Sequence, residues 1–521
     1  MNRRKGIAVE AWPILLVTCG LTVFGILSPD AARVNAADAT ENYIVLYKQE
    51  VVPADAATTI TNAGGMLVKS YDQIGVAIAR SNTSSFRESL LNDSRIEDAA
   101  ATTRFAVKIT NDQIAVADGL QLGDLPNTPA SDNDSLSSLQ WDMIQIHSPE
   151  AHQITGGSSA VVVGNIDTGI DKDHPDLQAN LDFANSCSCI GGVPNQDPNS
   201  WDDHSGHGTH TAGTIAAAAN GIGIVGVAPN VKIAAIKAGN DDGFFFPEAV
   251  VCAFMWAGTH HLDVTNNSYF ADPYLYNCRY DPMQRAIWKA EQRAIRYALN
   301  QGVTVVAALG NQSDDLAFPE IDPFSPVYPP GSAQEREVTN ACLVIPVEIP
   351  GVIGVSANSQ VLQNPIDPES GYLKAGYSNY GIGVTQVVAP GGSSPNLRVL
   401  STSPAESDCV DIIDPGPPSS AYCYRQGTSM ASPHVAGVAA LIISRFGNLT
   451  NMQSGKMSPG QVAALIRQAA DPQLCPDVLP TNYSLRPSGN PQNCQGGAGN
   501  NSWYGSGQVN AFKAVIGVSG P

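Results

Sequence analysis

SAVVVGNID, residues Ser159–Asp167, is a short β-branched run that ends on a carboxylate. It lacks the polar alternation of a half-exposed strand, so both of its faces are predicted to be buried, as in a parallel sheet. Runs of the same kind recur as KIAAIKA (232–238), DVTNNSYF (263–270), GVTVVAALGN (302–311), GVIGVSA (351–357) and QVVAP (386–390). Helical stretches separate them: HGTHTAGTIAAAA (207–219), PEAVVCAFMWAGTH (247–260), MQRAIWKAEQRAIRYALNQ (283–301) and the segment after Ser429. This alternation predicts an α/β domain over residues 138–521, with helices on both faces of a mostly parallel sheet.

Reactive groups in such sheets gather at the carboxyl ends of the strands. One run ends in Asp167 and another in Asn311, while His207 opens a helix of small residues. The stretch RQGTSMASPHVAGVAAL (425–441) supplies a serine. Its proline is expected in the first turn of a helix, where a missing N–H costs nothing. Ser429 then lies near that helix's N-terminus, beside unpaired N–H groups and the positive end of the dipole. Read alone, Ser429 serves equally as an N-cap. HGTH could also hold a metal, but the glutamate of the HExxH pattern is missing. Together, Asp, His and Ser are the parts of an acyl-transfer triad. Histidine takes the serine proton, aspartate orients the histidine, and an amide donor such as Asn311 stabilises the oxyanion.

The remainder of the chain frames that centre. Its 521 residues carry a formal net charge of -20, the wrong sign for a nucleic-acid partner. Arg3, Arg4 and Lys5, then the apolar Trp12–Leu27, then Val34-Asn35-Ala36, read as a secretory signal over 1–36. That run is short for a membrane span, so no stable anchor is expected. Residues 37–108 contain YIVLYK, DAATTITNAGG, IGVAIAR and TSSFRESLLND, two strand–helix pairs of a small α+β unit, the last a capped amphipathic helix. Residues 109–137 are rich in Asp, Asn, Ser and Pro and read as an exposed linker. Export implies disulfides among the nine cysteines beyond the signal. Proximity in sequence suggests Cys252–Cys278, Cys409–Cys423 and Cys475–Cys494, with one cysteine left over.

VVVGNIDTGID (161–171), HGTHTAGTIA (207–216), VVAALGN (305–311) and GTSMASPHVAGVAAL (427–441) closely resemble the four signature regions of the subtilisin-like serine proteases (subtilases). HPDL (174–177), VGVAP (225–229), YSNYG (377–381) and YGSGQVNAFKAV (504–515) match as well. The order Asp, His, Ser along the chain is that of this family. The resemblance implies a three-layer subtilisin-like domain preceded by a ferredoxin-like inhibitory propeptide. It implies Ser429 as nucleophile, His207 as base then acid, Asp167 as orienting carboxylate and Asn311 as oxyanion donor. The reaction would be endopeptidase hydrolysis of proteins or peptides by a monomer, with self-processing between about Phe105 and Ser137.

The resemblance also implies a structural Ca²⁺ held by Asp176, the Asn220 side chain and the backbone carbonyls of Ala218, Ile222 and Ile224. The alternative is an Asn-Gly turn without metal. Ser268, Tyr269 and Phe270 stand where the family usually has Ser-Leu-Gly. Leu309, between Ala308 and Gly310, stands where alanine is common. These six residues are expected to line the substrate cleft and reshape its pocket. Stretches 272–289, 314–337 and 404–424 look like insertions. The sequons at Asn266 and Asn311 would put a glycan in the cleft, which favours a bacterial exported protein. Two other readings stay open: a processing enzyme for one secreted partner, and an inactive subtilase fold used for binding.

Overall fold

The computed structural model describes residues 40–104, 106–108 and 134–517, less 365, 368–369, 394–396, 406, 408, 410–411, 414–420 and 452–454. The expected signal and most of the expected linker lie outside the described residues.

Residues from Thr40 onward form a single compact unit. Its first part has strands β1 (Glu41–Tyr47), β2 (Gly65–Tyr71), β3 (Val76–Ser81) and β4 (Ile96–Ala101), with helices α1 (Ala56–Asn62) and α2 (Phe86–Leu90). The strands pair antiparallel in the order β2-β3-β1-β4, the ferredoxin-like arrangement. Successive β-strand side chains point to opposite faces. Tyr43, Val45 and Tyr47 therefore join Ala56, Ile60 and Phe86 in a core of their own. Ile44, Leu46 and Ile78 point the other way and join the core of the large domain. Each such side chain contributes about 1.5–3 kcal/mol when fully buried.

The sequence reading did not anticipate β2 and β4. IEDAAA is poor in strand formers, and pairing with β1 overrides its local preference. The expected cap of α2 is also absent, since Ser85 makes no side-chain capping bond.

The large domain has β5 (Val162–Asp167), β6 (Cys187–Ser188), α3 (His207–Ala216), β7 (Lys232–Lys237), α4 (Pro247–Thr259), β8 (Val264–Asn267), α5 (Pro282–Asn300), β9 (Thr304–Ala308), β10 (Ile353–Leu362), β11 (Tyr372–Lys374), β12 (Thr385–Pro390) and α6 (Thr428–Phe446). The sheet order is β11-β10-β9-β8-β5-β7-β6, with β12 beside β10, and every pairing is parallel except that of β11. Alternation along the strands splits the interior into two layers. Val163, Val264 and Val306 pack with Val435, Val438 and Leu441 of α6. Ile166, Ile236 and Val305 pack on the other face with Val251 and Phe254 of α4 and Ile287 of α5. All six predicted strand runs and all four predicted helices are present, and the N-terminal sheet rests on the α4–α5 layer.

Among the described residues four disulfides form: Cys189–Cys252, Cys278–Cys342, Cys409–Cys423 and Cys475–Cys494. The expected Cys252–Cys278 pair is wrong. Cys278 lies directly across an antiparallel pair from Cys342, and Cys189 follows β6, which brings it beside α4. Both partners are more than sixty residues away in sequence, so proximity along the chain misled. Among the described residues Cys187 is the free thiol; it is buried, and burial pushes its pKa up.

Candidate active site

Asp167 ends the central strand β5, and His207 is the first residue of α3. His207 Nδ1 lies 2.7 Å from Asp167 Oδ1. The same oxygen accepts the Thr168 N–H at 2.8 Å, and Asp167 Oδ2 accepts the Thr211 hydroxyl at 3.4 Å. Both residues are buried. Gly208 makes the approach possible, because a Cβ there would sit 2.1 Å from the Gly169 carbonyl oxygen.

Asp203, which the sequence reading passed over, holds this corner together. Its Oδ1 accepts the Thr168 hydroxyl (2.9 Å) and the N–H groups of Ser205 (3.0 Å) and Gly206 (3.1 Å). Its Oδ2 accepts the Thr209 N–H (2.9 Å) and hydroxyl (2.7 Å). Burial pushes the Asp203 carboxyl up, but the Thr209 donors, Lys237 and the Gly206 N–H outweigh it and hold the pKa below the usual value. A Ser or Thr two residues beyond an Asp-Asp pair, just before the His helix, was the available sequence signal.

Ser429 is the second residue of α6 and is buried. Its Oγ donates to the Ser268 carbonyl at 3.2 Å. Pro433 lies inside the helix rather than in its first turn. A proline there cannot donate to the carbonyl four residues back. The Ser429 carbonyl accepts the Ser268 hydroxyl instead, at 2.8 Å. Gly437 lets the helix pack closely here, since a Cβ there would meet Val227 at 2.6 Å.

Asn311 follows β9. Its Oδ1 accepts the Thr428 N–H and the Thr428 hydroxyl, both at 2.9 Å. A backbone N–H can only donate, so these contacts settle which end of the amide is oxygen and make Nδ2 its donor end. Asn379 braces the loop by accepting from Gln312 N–H (2.9 Å) and Asp314 N–H (2.9 Å) and donating to the Leu309 carbonyl (2.9 Å).

Ser268, Tyr269, Phe270, Ala308, Gly310, Asn311, Thr428 and Ser429 line a cavity of about 10 Å³, the space of one water. Tyr269 is rigid, stacked on Phe245 with ring centroids 4.2 Å apart and its hydroxyl 3.2 Å from Asn267 Oδ1. Leu309 departs from expectation. It turns away from the cavity into the α4–α5 core, because neighbouring residues of an extended chain face opposite sides. The second histidine of HGTH is structural: His210 Nε2 contacts the Val399 and Cys423 carbonyls at 3.2 and 2.9 Å. Asn266 is fully buried, with Nδ2 on Asn165 (3.1 Å) and Oδ1 accepting from Ser432 (2.7 Å), so a glycan has no room there.

Of the residues expected to hold calcium, Asp176 meets Ala218 and Ile224: the Ala218 N–H donates to the Asp176 carbonyl at 2.9 Å, while Asn220 Oδ1 accepts the Ile222 N–H at 3.1 Å. Asp176 Oδ2 accepts the Ile224 N–H (3.0 Å) and the Tyr422 hydroxyl (3.1 Å). Asp176 Oδ1 is buried with no hydrogen-bond partner. Burial pushes this carboxyl up to about 7, against the pull of those two donors. Asp134, at the far edge of the expected linker, closes the loop by accepting the N–H groups of Asn220 (3.0 Å) and Gly221 (2.9 Å). Among the described residues no three His, Cys, Asp or Glu side chains form a metal cluster. A hard cation here would rest on Asp176, the Asn220 amide and the carbonyls of Ala218, Ile222 and Ile224. The unpartnered buried oxygen fits that role.

Comparison with known proteins identifies the family. Subtilisin BL of Lederbergia lenta is 31% identical over 317 residues, 61% of this chain and 88% of that protein. Fervidolysin of Fervidobacterium pennivorans is 30% identical over 344 residues, 64% of this chain but only 41% of fervidolysin. The crystal structure of the epidermin leader peptide processing serine protease of Staphylococcus aureus shares the fold, with a TM-score of 0.63 at 21% identity, covering 93% of this chain and 99% of that one. No described helix is long and apolar enough to cross a membrane. The subtilase family profile matches residues 158–507, and the chain belongs to the subtilase family of serine peptidases.

Proposed function

We propose that the chain is an exported serine endopeptidase that hydrolyses peptide bonds through an acyl-enzyme. The observation that carries this reading is the 2.7 Å contact between His207 Nδ1 and Asp167. It leaves Nε2 as the base that takes the Ser429 proton, while Asp167 holds the tautomer and stabilises the imidazolium. The Ser429 hydroxyl, on the Ser268 carbonyl in this state, rotates to His207 when substrate arrives; such contacts often tighten only in the complex. The oxyanion meets Asn311 Nδ2 and the Ser429 N–H at the positive end of α6. The imidazolium then protonates the leaving amine, and water releases the acyl group by the reverse path.

Residues 37–108 act as an inhibitory propeptide, and self-cleavage falls between about Phe105 and Ser137. Asp134 against Asn220 and Gly221 favours the part of that window before Asp134. A calcium ion held by Asp176 and its neighbours would supply structural stability and no chemistry. A narrower second reading, a processing enzyme for one secreted partner, is favoured by Tyr269 and Phe270, which line the cavity beside Ser429 where the family usually has Leu-Gly.

The intact mass of secreted wild type beside Ser429→Ala tests the main reading. Loss of the N-terminal part in wild type alone supports an active self-processing peptidase. Retention in both points to an idle triad. Loss in both assigns the cut to another protease.

A further inference from the structure

The turn that carries Asn311 is held by two segments that come from later in the chain. Residues 376–381 supply the first hold. Asn379 N–H donates to the Gly310 carbonyl at 2.8 Å, Ser313 N–H to the Tyr377 carbonyl at 2.7 Å, and Tyr380 N–H to the Asp314 carbonyl at 3.0 Å. The turn depends on such support, because Ser313 sits in the left-handed region (φ 61°), where a serine is uncommon.

Asp314 takes the second hold. Its Oδ1 accepts Arg486 Nε and Nη2, both at 3.2 Å, and its Oδ2 accepts the Tyr276 hydroxyl at 2.5 Å. Arg486 also donates to the Phe318 carbonyl at 2.6 Å and to Glu320 at 2.7 Å. The side chains of Arg486 and Asp314 are only 10% and 2% exposed, so salt and solvent screen the pair little. A tight turn presents the arginine: its N–H donates to the Asn490 carbonyl at 2.9 Å, and Gly489 N–H donates to the Arg486 carbonyl at 2.8 Å. Gln492 fastens that turn to the first segment, with Nε2 on the carbonyls of Gly376 (2.7 Å) and Ser484 (2.8 Å). Asn493 N–H donates to the Tyr380 hydroxyl at 3.2 Å, and the Cys475–Cys494 disulfide closes the stretch. Residues 376–381 thus carry both the Asn311 turn and the arginine that grips it.

We propose that Arg486 is a positioning residue for the oxyanion donor: through Asp314 it fixes the turn that holds Asn311, so the disulfide-closed stretch 475–494 sets turnover from behind the site. Arg486 does not line the Ser429 cavity, so its effect falls on the chemical step and not on substrate binding. Removing it leaves the Asp314 carboxylate buried without its cation, and the turn relaxes. A small displacement of Asn311 then weakens the hydrogen bond that counts most in the transition state. This inference rests on the protease reading above.

The test is a kinetic cycle on one peptide substrate with secreted wild type, Arg486→Leu, Asn311→Ala and the double variant. Arg486→Leu is expected to lower kcat about tenfold with KM nearly unchanged. Arg486→Lys keeps the charge and is expected to recover part of the loss. In the Asn311→Ala background Arg486→Leu is expected to change kcat by less than about twofold, because the donor it positions is gone. A purely structural residue would act equally in both backgrounds. Equal losses of kcat with and without Asn311, or a loss confined to KM, overturn the positioning role. Asp314→Asn removes the charge from the other side and runs through the same cycle if Arg486→Leu fails to fold. If wild type cuts no peptide, the protease reading falls by itself. Amide hydrogen exchange over residues 310–316 of the full-length Ser429→Ala chain, with and without Arg486→Leu, then decides the hold. Faster exchange in the variant supports it, and unchanged exchange overturns it.

Discussion

Ser268 and Ser429 exchange two hydrogen bonds: each hydroxyl donates to the other residue's carbonyl, at 2.8 and 3.2 Å. The first exists because Pro433 has no N–H for the Ser429 carbonyl. The proline thus ties the strand that walls the cavity to the turn that carries the candidate nucleophile. Ser268→Ala, in a Ser429→Ala background to prevent self-digestion, is expected to cost about 1–3 kcal/mol by leaving that carbonyl unsatisfied. Adding Pro433→Ala restores a helical donor and is expected to recover most of the loss. Denaturation midpoints across this cycle measure the coupling, and strict additivity would refute it.

Asn311 depends on Thr428 for its orientation. Asn311→Ala is expected to lower kcat by about 10²–10³ with little change in KM, as loss of one oxyanion donor does elsewhere. Thr428→Val keeps the N–H contact but loses the hydroxyl, and a smaller loss of about tenfold is expected. Steady-state kinetics on one peptide substrate check both, and a Thr428→Val effect confined to KM would contradict the positioning role.

Asp203 accepts from five donors at the start of the His207 helix. Asp203→Asn turns an amide N–H toward those donors and is expected to cost about 2–4 kcal/mol of stability. Asp203→Ser, which removes the clash but also the bracing, is expected to fold and to lose kcat. Thermal unfolding and kinetics on the same samples separate the two effects.

Glu248, Asp272 and Glu291 meet where the N-terminal sheet covers the large domain. Asn42 donates to Glu248 at 2.7 Å, and neither Glu291 oxygen has a partner among the described residues. Burial raises all three carboxyl pKa values, and their mutual repulsion adds to the rise for Glu291 and Asp272. Raised folded-state values mean a stabilising contribution that is complete below the ordinary carboxyl range and lost as pH climbs through the shifted values. The thermal midpoint of Ser429→Ala full-length chain is therefore expected to fall with rising pH above that range. Glu291→Gln is expected to flatten the fall, and an unchanged slope would exclude Glu291 as its source.

Asp176 offers a second pH lever with a metal readout. Its carboxyl is raised to about 7, so without a cation its contribution fades as pH rises from the usual carboxyl value through 7. Calcium stabilises the charged form and reverses that trend, by about 2.7 kcal/mol at one hundred times its Kd. Thermal melts at pH 8 with calcium or chelator measure this. Asp176→Asn is expected to melt identically in both.

The period of the hydrophobic runs in this sequence specified the α/β domain, because a parallel strand buried on both faces leaves an uninterrupted apolar signature, as in Ser159–Asp167. The signature regions likewise marked Asp167, His207, Asn311 and Ser429, since the chemistry of each depends on its place at a strand or helix end. What the sequence could not carry was partnership across distance. Cys278 finds Cys342 through strand register, IEDAAA becomes a strand by pairing with β1, and Asp203 earns its role from five donors assembled by the turn. The direction of Leu309, the service of Pro433 to Ser268 and the reach of Arg486 to Asp314 were also settled only in three dimensions. Local periodicity records which face of an element is buried. Only the packed chain decides which residue stands opposite.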